Sequence, residues 1–501
     1  MAAAPTPYAH LETRFARLGA LGDAAGFLHW DAATMMPDGG ADSRADQLAT
    51  LSAIEHELTI DPQVAEWIAA AEADIDSLSS WQRANLREIA RLHAHAAAVP
   101  AHLVEALSRA GSSCEMTWRT ARPASDFAAV APKLKIVLDL TREVAQAKAE
   151  ALGVSPYDAL LDQYEPGGRA DTIDMLFADL ESVLPNLLGE VLEAQARRPQ
   201  PQRPTGPFPI DTQKAVAARF MTSVGFDFNH GRLDVSAHPF CGGSAEDVRL
   251  TTRYEDADFT QAFMGVLHET GHALYEQGLP AEWRRQPVGK ARGMSVHESQ
   301  SLLMEMLACR SRAFATFAAP ILRDAFGGSG PAWEADNLYR LNTRVAPDFI
   351  RVEADEVTYP AHVILRYRLE RDLIAGRLEV EDLPGAWNDG MARLLGLTVP
   401  DDRRGVLQDI HWFDGAFGYF PTYTLGAMTA AQLFLAACEA DPRIPECLAT
   451  GDFRPLLGWL QQNIHLHGSS LSTRDLLVQA TGQPLNASAF LTHLRGRYLE
   501  D

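Results

Sequence analysis

Residues 266–277 read Val-Leu-His-Glu-Thr-Gly-His-Ala-Leu-Tyr-Glu-Gln and contain the pattern His268-Glu269-x-x-His272. Apolar residues recur around this pattern at helical spacing, which predicts a helix with both histidines on one face. Side chains four residues apart lie one turn apart, so their two imidazole rings can bind a single metal ion. The alternative is that both histidines are ordinary, partly buried helix residues, because so short a pattern also arises by chance.

A second segment, His297-Glu298-Ser299-Gln300, begins another run with helical apolar spacing. The intervening stretch, 278–295, is polar and rich in turn-forming residues. If the two helices pack side by side, Glu298 returns to His268 and His272 as a third ligand. Two histidines and one glutamate leave a fourth position open, which is typical of a catalytic zinc site. Glu269 would then accept a proton from water that the metal activates.

The bulk composition excludes several classes of partner. The chain has 501 residues, of which 47% are hydrophobic, and a formal net charge of -22 at pH 7. A negative surface repels phosphate backbones and the basic residues are scattered, which argues against nucleic acid. No apolar run is long enough to span a bilayer, and the first seven residues do not resemble a signal peptide. We therefore expect a cytoplasmic protein that binds neither nucleic acid nor membranes.

The sequence predicts an all-α fold, mainly helical, with one small β-hairpin. Alanine, leucine, glutamate and arginine dominate long stretches such as 81–98, 126–152 and 172–197, and period-two alternation is rare. Residues 232–235 and 248–254 are the best strand candidates, and a Gly-Gly turn separates them. The predicted hairpin lies beside the metal-binding helix. There it either offers an edge to an extended peptide or only covers the core.

One proline-rich segment divides the chain. Residues 198–209 read Arg-Pro-Gln-Pro-Gln-Arg-Pro-Thr-Gly-Pro-Phe-Pro, and so many prolines forbid a helix and favour an extended connector. We assign residues 198–211 to this connector, residues 1–197 to an N-terminal helical lobe and residues 212–501 to a metal-bearing catalytic lobe. The expected architecture is a single domain, 1–501, with a deep groove between two lobes.

Further motifs accompany the metal segments in a fixed order along the chain. They are His29-Trp30-Asp31 with Met36-Pro37 and residues 44–51, His238-Pro239-Phe240, Asp247-Val248-Arg249-Leu250-Thr251, Ile350-Arg351-Val352-Glu353-Ala354-Asp355, and Gly405-Val406-Leu407-Gln408-Asp409-Ile410-His411-Trp412. With these motifs the sequence resembles the carboxypeptidase Taq family of thermostable zinc metallocarboxypeptidases. An ordered set of this kind is far more specific than one metal motif.

The resemblance implies a fold and an activity. The implied fold is helical, like that of the larger zinc peptidases of the thermolysin-like clan, with the metal in a deep groove, and the implied assembly is a homodimer. The implied reaction releases single amino acids from peptides with a free C-terminus, with broad specificity and reluctance towards proline. The expected cofactor is one Zn²⁺ per subunit, for which Co²⁺ can substitute, held by His268, His272 and Glu298.

The reaction also needs donors for the oxyanion that develops on the scissile carbonyl. His411 and Tyr423 are the candidates, since a tyrosine in the segment 418–423 resembles one with this role in related helical peptidases. Tyr419 is the second choice of tyrosine. The structural alternative is that either tyrosine only packs in the core.

A carboxypeptidase must also recognise a free carboxylate, and the planar guanidinium of arginine suits this task. Arg351 is the first candidate and Arg249 the second. Each could instead form a buried salt bridge, with Glu353, Asp355 or Asp247 as the partner. His238 either binds substrate or fixes the turn before Pro239.

A histidine that binds a metal usually donates its other ring N–H to a carboxylate or a carbonyl group. Asp355 and Glu356 are the candidates for this hydrogen-bond acceptor. The alternative is that both are solvated charges on a helix.

Three functions stay open at this point. The first is the zinc carboxypeptidase, and the second is a zinc oligopeptidase that cuts inside short peptides. The third is a metal-stabilised binding protein without activity. Glu269 argues against the third, because a structural metal site has no need of a base beside it.

Overall fold

A computed structural model describes residues 4–500, and helices dominate this part of the chain. The all-α class predicted from the sequence is therefore confirmed. Within the described range, no helix has both the length and the apolar character needed to cross a membrane. The α-helices are α1 Pro7–Thr34, α2 Ala41–Ile60, α3 Pro62–Ala73, α4 Ser80–Ala97, α5 Ala101–Ala124, α6 Phe127–Leu152, α7 Pro156–Leu161, α8 Ala170–Ala196, α9 Ile210–Val224, α10 Thr260–Gly278, α11 Met294–Leu302, α12 Arg312–Ala325, α13 Ala335–Asn342, α14 Tyr359–Ile374, α15 Leu383–Leu395, α16 Pro421–Ala440, α17 Ile444–Leu448, α18 Arg454–Asn463, α19 Thr473–Thr481 and α20 Ser488–Arg495.

Local sequence signals explain where many of these helices begin and end. The Ser79 side chain accepts a hydrogen bond from the Gln82 N–H while the Gln82 side chain accepts one from the Ser79 N–H, which forms a capping box at the start of α4. Gly153 ends α6 in the left-handed conformation that glycine adopts without strain. The stretches predicted as helical at 81–98, 126–152 and 172–197 correspond to α4, α6 and α8.

One small sheet lies beside α10. Its strands are β1 Gly231–Val235, β2 Cys241–Ser244 and β3 Asp247–Thr252, in the order β1-β3-β2. The two predicted strands are neighbours, but β1 and β3 run parallel, so they do not form the expected hairpin. The hairpin is formed by β2 and β3, which are antiparallel. The glycine-rich β2 carries no alternating pattern, and for that reason the sequence did not reveal it.

Two large hydrophobic clusters form the core. The first combines buried residues from the range 114–191 with residues from 345–498, and the second combines the range 208–338 with residues from 430–477. A smaller cluster joins α1, α3 and α4. Residues 199–209 contain no helix or strand, and Phe208 is buried. The division into two lobes at 198–211 stays a prediction.

Buried polar contacts join the N-terminal helices to the segment before α11. Asn85 on α4 donates to the Gln286 side chain and accepts from the Val288 N–H. One turn further, Glu88 pairs with Arg292 at 2.8 Å, and both side chains are buried. The two opposite charges thereby compensate each other where both side chains have little contact with solvent.

Candidate active site

Helices α10 and α11 bring the predicted ligands together. His268, Glu269 and His272 lie on α10, and Glu298 lies on α11, which packs beside it. Gly271, between the two histidines, permits this approach, because a Cβ atom there would lie 2.5 Å from the backbone oxygen of Gln300. The two helices therefore pack in contact at the point where the ligands converge.

The spacing of the three side chains suits a divalent metal ion. The distance from His268 Nε2 to Glu298 Oε1 is 3.9 Å, and that from His272 Nε2 to Glu298 Oε2 is 3.6 Å. One potential ligand atom from each residue lies within 4.8 Å of the other two. Ligands that each lie about 2.1 Å from a tetrahedral zinc ion are about 3.4 Å apart, so small side-chain adjustments complete the site. The donor set of two imidazoles and one carboxylate fits zinc.

Each histidine of the site has a further partner that the sequence did not reveal. His268 Nδ1 lies 2.9 Å from Glu305 Oε2, and Glu305 accepts a 2.5 Å hydrogen bond from Arg310. His272 Nδ1 lies 2.7 Å from His297 Nδ1. The other nitrogen of His297 lies 2.8 Å from a carboxylate oxygen of Glu276. These contacts fix the orientation of both imidazole rings.

The sequence predicted that Asp355 or Glu356 accepts the second ring N–H of a metal-binding histidine, and this prediction was wrong. Asp355 accepts hydrogen bonds from the backbone N–H groups of Ala346, Val357 and Thr358. Glu356 contacts His493, Arg497 and Tyr498 near the C-terminus. Both carboxylates are therefore occupied elsewhere. Glu305, in the π-helical continuation of α11 at residues 303–309, makes this contact with His268 instead.

The burial of the site shifts the pKa values of its acids. Burial raises the pKa of Glu269 from its ordinary value to about 7. Burial also opposes the charge on Glu305, but the neighbouring Arg310 and His268 lower its pKa to about 2. Burial disfavours the charged form of His268, yet the hydrogen bond to Glu305 and the charge of Glu298 raise its pKa to about 10. Glu305 is thus an anion that faces the imidazole of His268.

An open cavity of about 590 Å³ contains the site. The polar and charged side chains that line it are His268, Glu269, His272, His297, Glu298, Glu305, Arg310, Arg351, Glu356, Tyr359, Tyr419 and Tyr423. A second cavity of about 480 Å³ shares Cys241, Met294 and His297 with the first. The two cavities form neighbouring parts of one groove.

The predicted oxyanion donors lie at one wall of the cavity. Tyr423 and Tyr419 both line it, and their rings contact each other with centroids 5.1 Å apart. His411 does not line the cavity but lies behind Tyr423, with Nε2 3.5 Å from the tyrosine oxygen. Burial lowers the pKa of His411 to about 4, so its ring is neutral at pH 7.

Arg351 lines the cavity, and Arg249 and His238 do not. Arg351 is 4% exposed and pairs with Asp409, which was not among its predicted partners. Arg249 pairs with Asp247, as the salt-bridge alternative expected, and its guanidinium lies over the Trp30 ring. His238 is exposed, and its carbonyl accepts a hydrogen bond from the Ser236 hydroxyl. The substrate-binding roles of these residues stay predictions.

Comparison with known proteins identifies the family. The model of the carboxypeptidase Taq (M32) metallopeptidase family matches residues 10–498. The chain belongs to this family. The M32 chain is 41% identical over 480 residues to thermostable carboxypeptidase 1 of Thermus thermophilus, covering 94% of each protein. It is 35% identical over 491 residues to thermostable carboxypeptidase 1 of Pyrococcus furiosus, covering 97% of each.

A solved structure supports the same assignment. Metallocarboxypeptidase 1 of Trypanosoma cruzi superimposes with a TM-score of 0.97 at 44% identity, covering 98% of this chain and 99% of that one. The family resemblance drawn from the ordered motifs is therefore confirmed. The M32 protein is a metallocarboxypeptidase and hence a peptide hydrolase, and its family implies a divalent metal.

Proposed function

We propose that this M32 carboxypeptidase hydrolyses the C-terminal peptide bond of peptides with one Zn²⁺ per subunit, held by His268, His272 and Glu298. The observation that carries the proposal is the convergence of these three side chains within 4.8 Å in a cavity that also contains Glu269 and Arg351. An ion held there would supply Lewis acidity, which polarises the scissile carbonyl and makes water more acidic.

Glu269 is the general base of the proposed reaction. Its carboxylate follows the first ligand in the chain and lines the same cavity as the three ligands. From there it accepts a proton from the attacking water and afterwards donates it to the departing amine. Glu305 supports the reaction indirectly, because its anionic carboxylate orients the His268 ring and increases the basicity of the imidazole.

Tyr423 is the proposed donor to the oxyanion. Its side chain lines the cavity, and its hydroxyl oxygen lies 3.5 Å from Nε2 of the neutral His411 ring, which restricts its orientation. Tyr419 shares that wall and is the alternative donor. His411 then acts through Tyr423 rather than on the substrate.

Arg351 is the proposed receptor for the substrate carboxylate. Its Nε and Nη2 atoms donate to Asp409 Oδ1 at 3.1 and 2.8 Å, and Nη1 donates to the Tyr359 hydroxyl at 2.8 Å. A guanidinium has five N–H groups, so one on each terminal nitrogen is left for a substrate. Two parallel hydrogen bonds from these groups match the geometry of a carboxylate.

Several finer properties are proposed from the family resemblance. They are broad specificity with reluctance towards proline, activity with Co²⁺ in place of Zn²⁺, assembly as a homodimer and a cytoplasmic location. Peptides with a free C-terminus are the proposed partners.

The test of the proposed reaction compares two forms of the same peptide. Cleavage of a peptide with a free C-terminus and of its C-terminal amide is followed with and without chelator, and zinc or cobalt is then added back. We expect fast stepwise release of single amino acids from the free form, far slower cleavage of the amide, loss of release with chelator, and recovery with either metal. Internal fragments, or equal cleavage of the amide, would contradict the proposal.

The variant Glu269→Gln tests the role of the base. Glutamine keeps the size of the side chain but cannot accept the proton, so turnover should fall by about 100-fold or more. Zinc content should equal that of the wild type, because Glu269 is not a proposed ligand. Unchanged turnover at full zinc occupancy would remove Glu269 from the mechanism.

A further inference from the structure

One carboxylate behind the cavity wall is shared by two arginines. Asp409 Oδ1 accepts from Arg351 at 2.8 and 3.1 Å, and Asp409 Oδ2 accepts from Nε of Arg366 at 2.6 Å. Arg351 lines the cavity, whereas Asp409 and Arg366 are not among the residues that line it. The three side chains therefore form a row that begins at the cavity and ends in the protein interior.

Arg366 is fully buried and lies on α14. Its Nη1 donates to the His362 carbonyl at 2.7 Å, and its guanidinium lies 4.5 Å from the Trp387 ring centroid. Its Nη2 has no hydrogen-bond partner among the residues that the structure describes. Burying a guanidinium with one unsatisfied nitrogen is costly, so packing alone does not explain an arginine at this position.

Within residues 4–500, no other charged side chain forms a hydrogen bond or ion pair with Arg351, Asp409 or Arg366. His362 is also buried, and its burial lowers its pKa to about 3, so the ring is neutral. Glu370, one turn further along α14, directs its oxygens to Tyr157, Trp412 and the Gly418 N–H instead. The row thus contains two cations and one anion.

We propose that Arg366 is a positioning residue for the substrate carboxylate: it offsets the charge of Asp409, so that Arg351 faces the cavity with one uncompensated positive charge. The inference rests on the proposed role of Arg351. Asp409 alone would hold the fork of Arg351 in place but would also neutralise it and repel the incoming carboxylate. With Arg366 present, Asp409 still orients Arg351 through hydrogen bonds. The positive charge of Arg366 offsets the repulsion between Asp409 and the substrate carboxylate.

The consequence concerns the choice between an acid and an amide. A neutral Arg351–Asp409 pair could still donate hydrogen bonds to either end group, but it would attract the carboxylate less. The ratio of kcat/KM for a free C-terminus to kcat/KM for the amide therefore reports the charge of the row.

The test uses variants that change this charge in steps. Arg366→Met leaves a neutral pair, Arg366→Lys keeps the charge, and the double variant Arg366→Met with Asp409→Asn restores a single positive charge. The substrates are N-acylated alanyl-phenylalanine and its C-terminal amide, and the zinc content of each protein is measured. If Arg366→Met does not fold, Arg366→Gln takes its place as the neutral variant.

We expect the acid-to-amide ratio to fall about tenfold or more in Arg366→Met, mainly through KM for the acid. It should stay near the wild-type value in Arg366→Lys and recover in the double variant. If Arg366 had only a structural role, Arg366→Met would lower kcat/KM for the acid and for the amide by the same factor. The double variant would then have a lower kcat/KM than the single variant. That result, or an unchanged acid-to-amide ratio in Arg366→Met, would overturn the inference about Arg366 but would leave the proposed function intact. A wild-type enzyme that does not distinguish acid from amide would overturn the proposed function and this inference with it.

Discussion

Glu305 is the residue on which the geometry of His268 depends most directly. Its carboxylate lies 2.9 Å from His268 Nδ1 and is held by Arg310 on the other side. Glu305→Gln removes the negative charge and should weaken zinc affinity by about 10–100-fold, as measured by competition with a chelator. Glu282→Gln, at an exposed position, is the matched control and should have no effect. Equal zinc affinity in both variants would contradict the role of Glu305.

Glu370 makes the stability of the protein depend on pH. It is fully buried, and burial raises the pKa of its carboxyl group from 4.5 to about 7. The folded state then binds this proton more tightly than the unfolded state, so the stabilisation is complete below pH 4.5 and is lost as pH rises through 7. Relative to Glu370→Gln, the wild type should lose about 3 kcal/mol of unfolding free energy over that interval.

Urea unfolding of both proteins at pH 5 and pH 8 measures this difference. Glu381→Gln, at an exposed position, should follow the wild type. Parallel pH profiles of the wild type and Glu370→Gln would show that the Glu370 proton does not contribute.

At the scale of single residues, the sequence predicted contacts between residues that lie close together in the chain. The spacing of His268 and His272 is a property of one helix, and Arg249 pairs with Asp247 two residues away on the same strand. Arg351 and Asp409 are far apart in the chain, so only the packing of the folded protein reveals their pairing. Glu305 lies seven residues after Glu298, and that spacing of two helical turns was a signal that could have identified it.

At the scale of the elements, the contact between α10 and α11 brings the proposed metal ligands together. Gly271→Ala places a methyl group against the backbone of α11 and should cost about 1–3 kcal/mol of stability. It should also weaken zinc binding, because Glu298 moves away from the histidines with its helix. Thermal unfolding and chelator competition measure the two effects.

Gly458→Ala is the matched control for this substitution. Gly458 lies in α18, and a Cβ atom there would have no neighbour within 4 Å. Alanine should therefore leave zinc affinity unchanged and stabilise the helix by about 0.5–1 kcal/mol. Loss of zinc affinity in both variants would rule out an effect specific to the contact of α10 with α11.

Helices were easier to predict from the sequence than the sheet. The apolar period of α4, α6 and α8 and the caps of α4 and α6 are properties of contiguous residues. The direction in which β3 pairs with β1 depends on the path of the chain through residues 236–246, and this path includes the short, glycine-rich β2. A pattern of alternation carries no information about such a path.

At the scale of the whole molecule, the first core cluster tests the division into lobes. Helices α5, α6 and α8 contribute to it together with α14, α15 and α16. A fragment of residues 198–501 would expose the half of this cluster that the fragment contains. We expect the fragment to show no cooperative thermal unfolding, whereas the full chain prepared in the same way does. A cooperative transition of the fragment would show that the second lobe folds independently.

The same cluster has a consequence for synthesis of the protein in the cell. Residues 114–191 leave the ribosome before their packing partners at 345–498 exist. At about 5–20 residues per second, roughly 150 intervening residues take roughly 10–30 s to translate. Throughout that delay, the parts of α5, α6 and α8 that pack against residues 345–498 have no native surface to cover them. We therefore expect chaperones to bind the nascent chain, and slower aggregation at low temperature should increase the yield of folded enzyme.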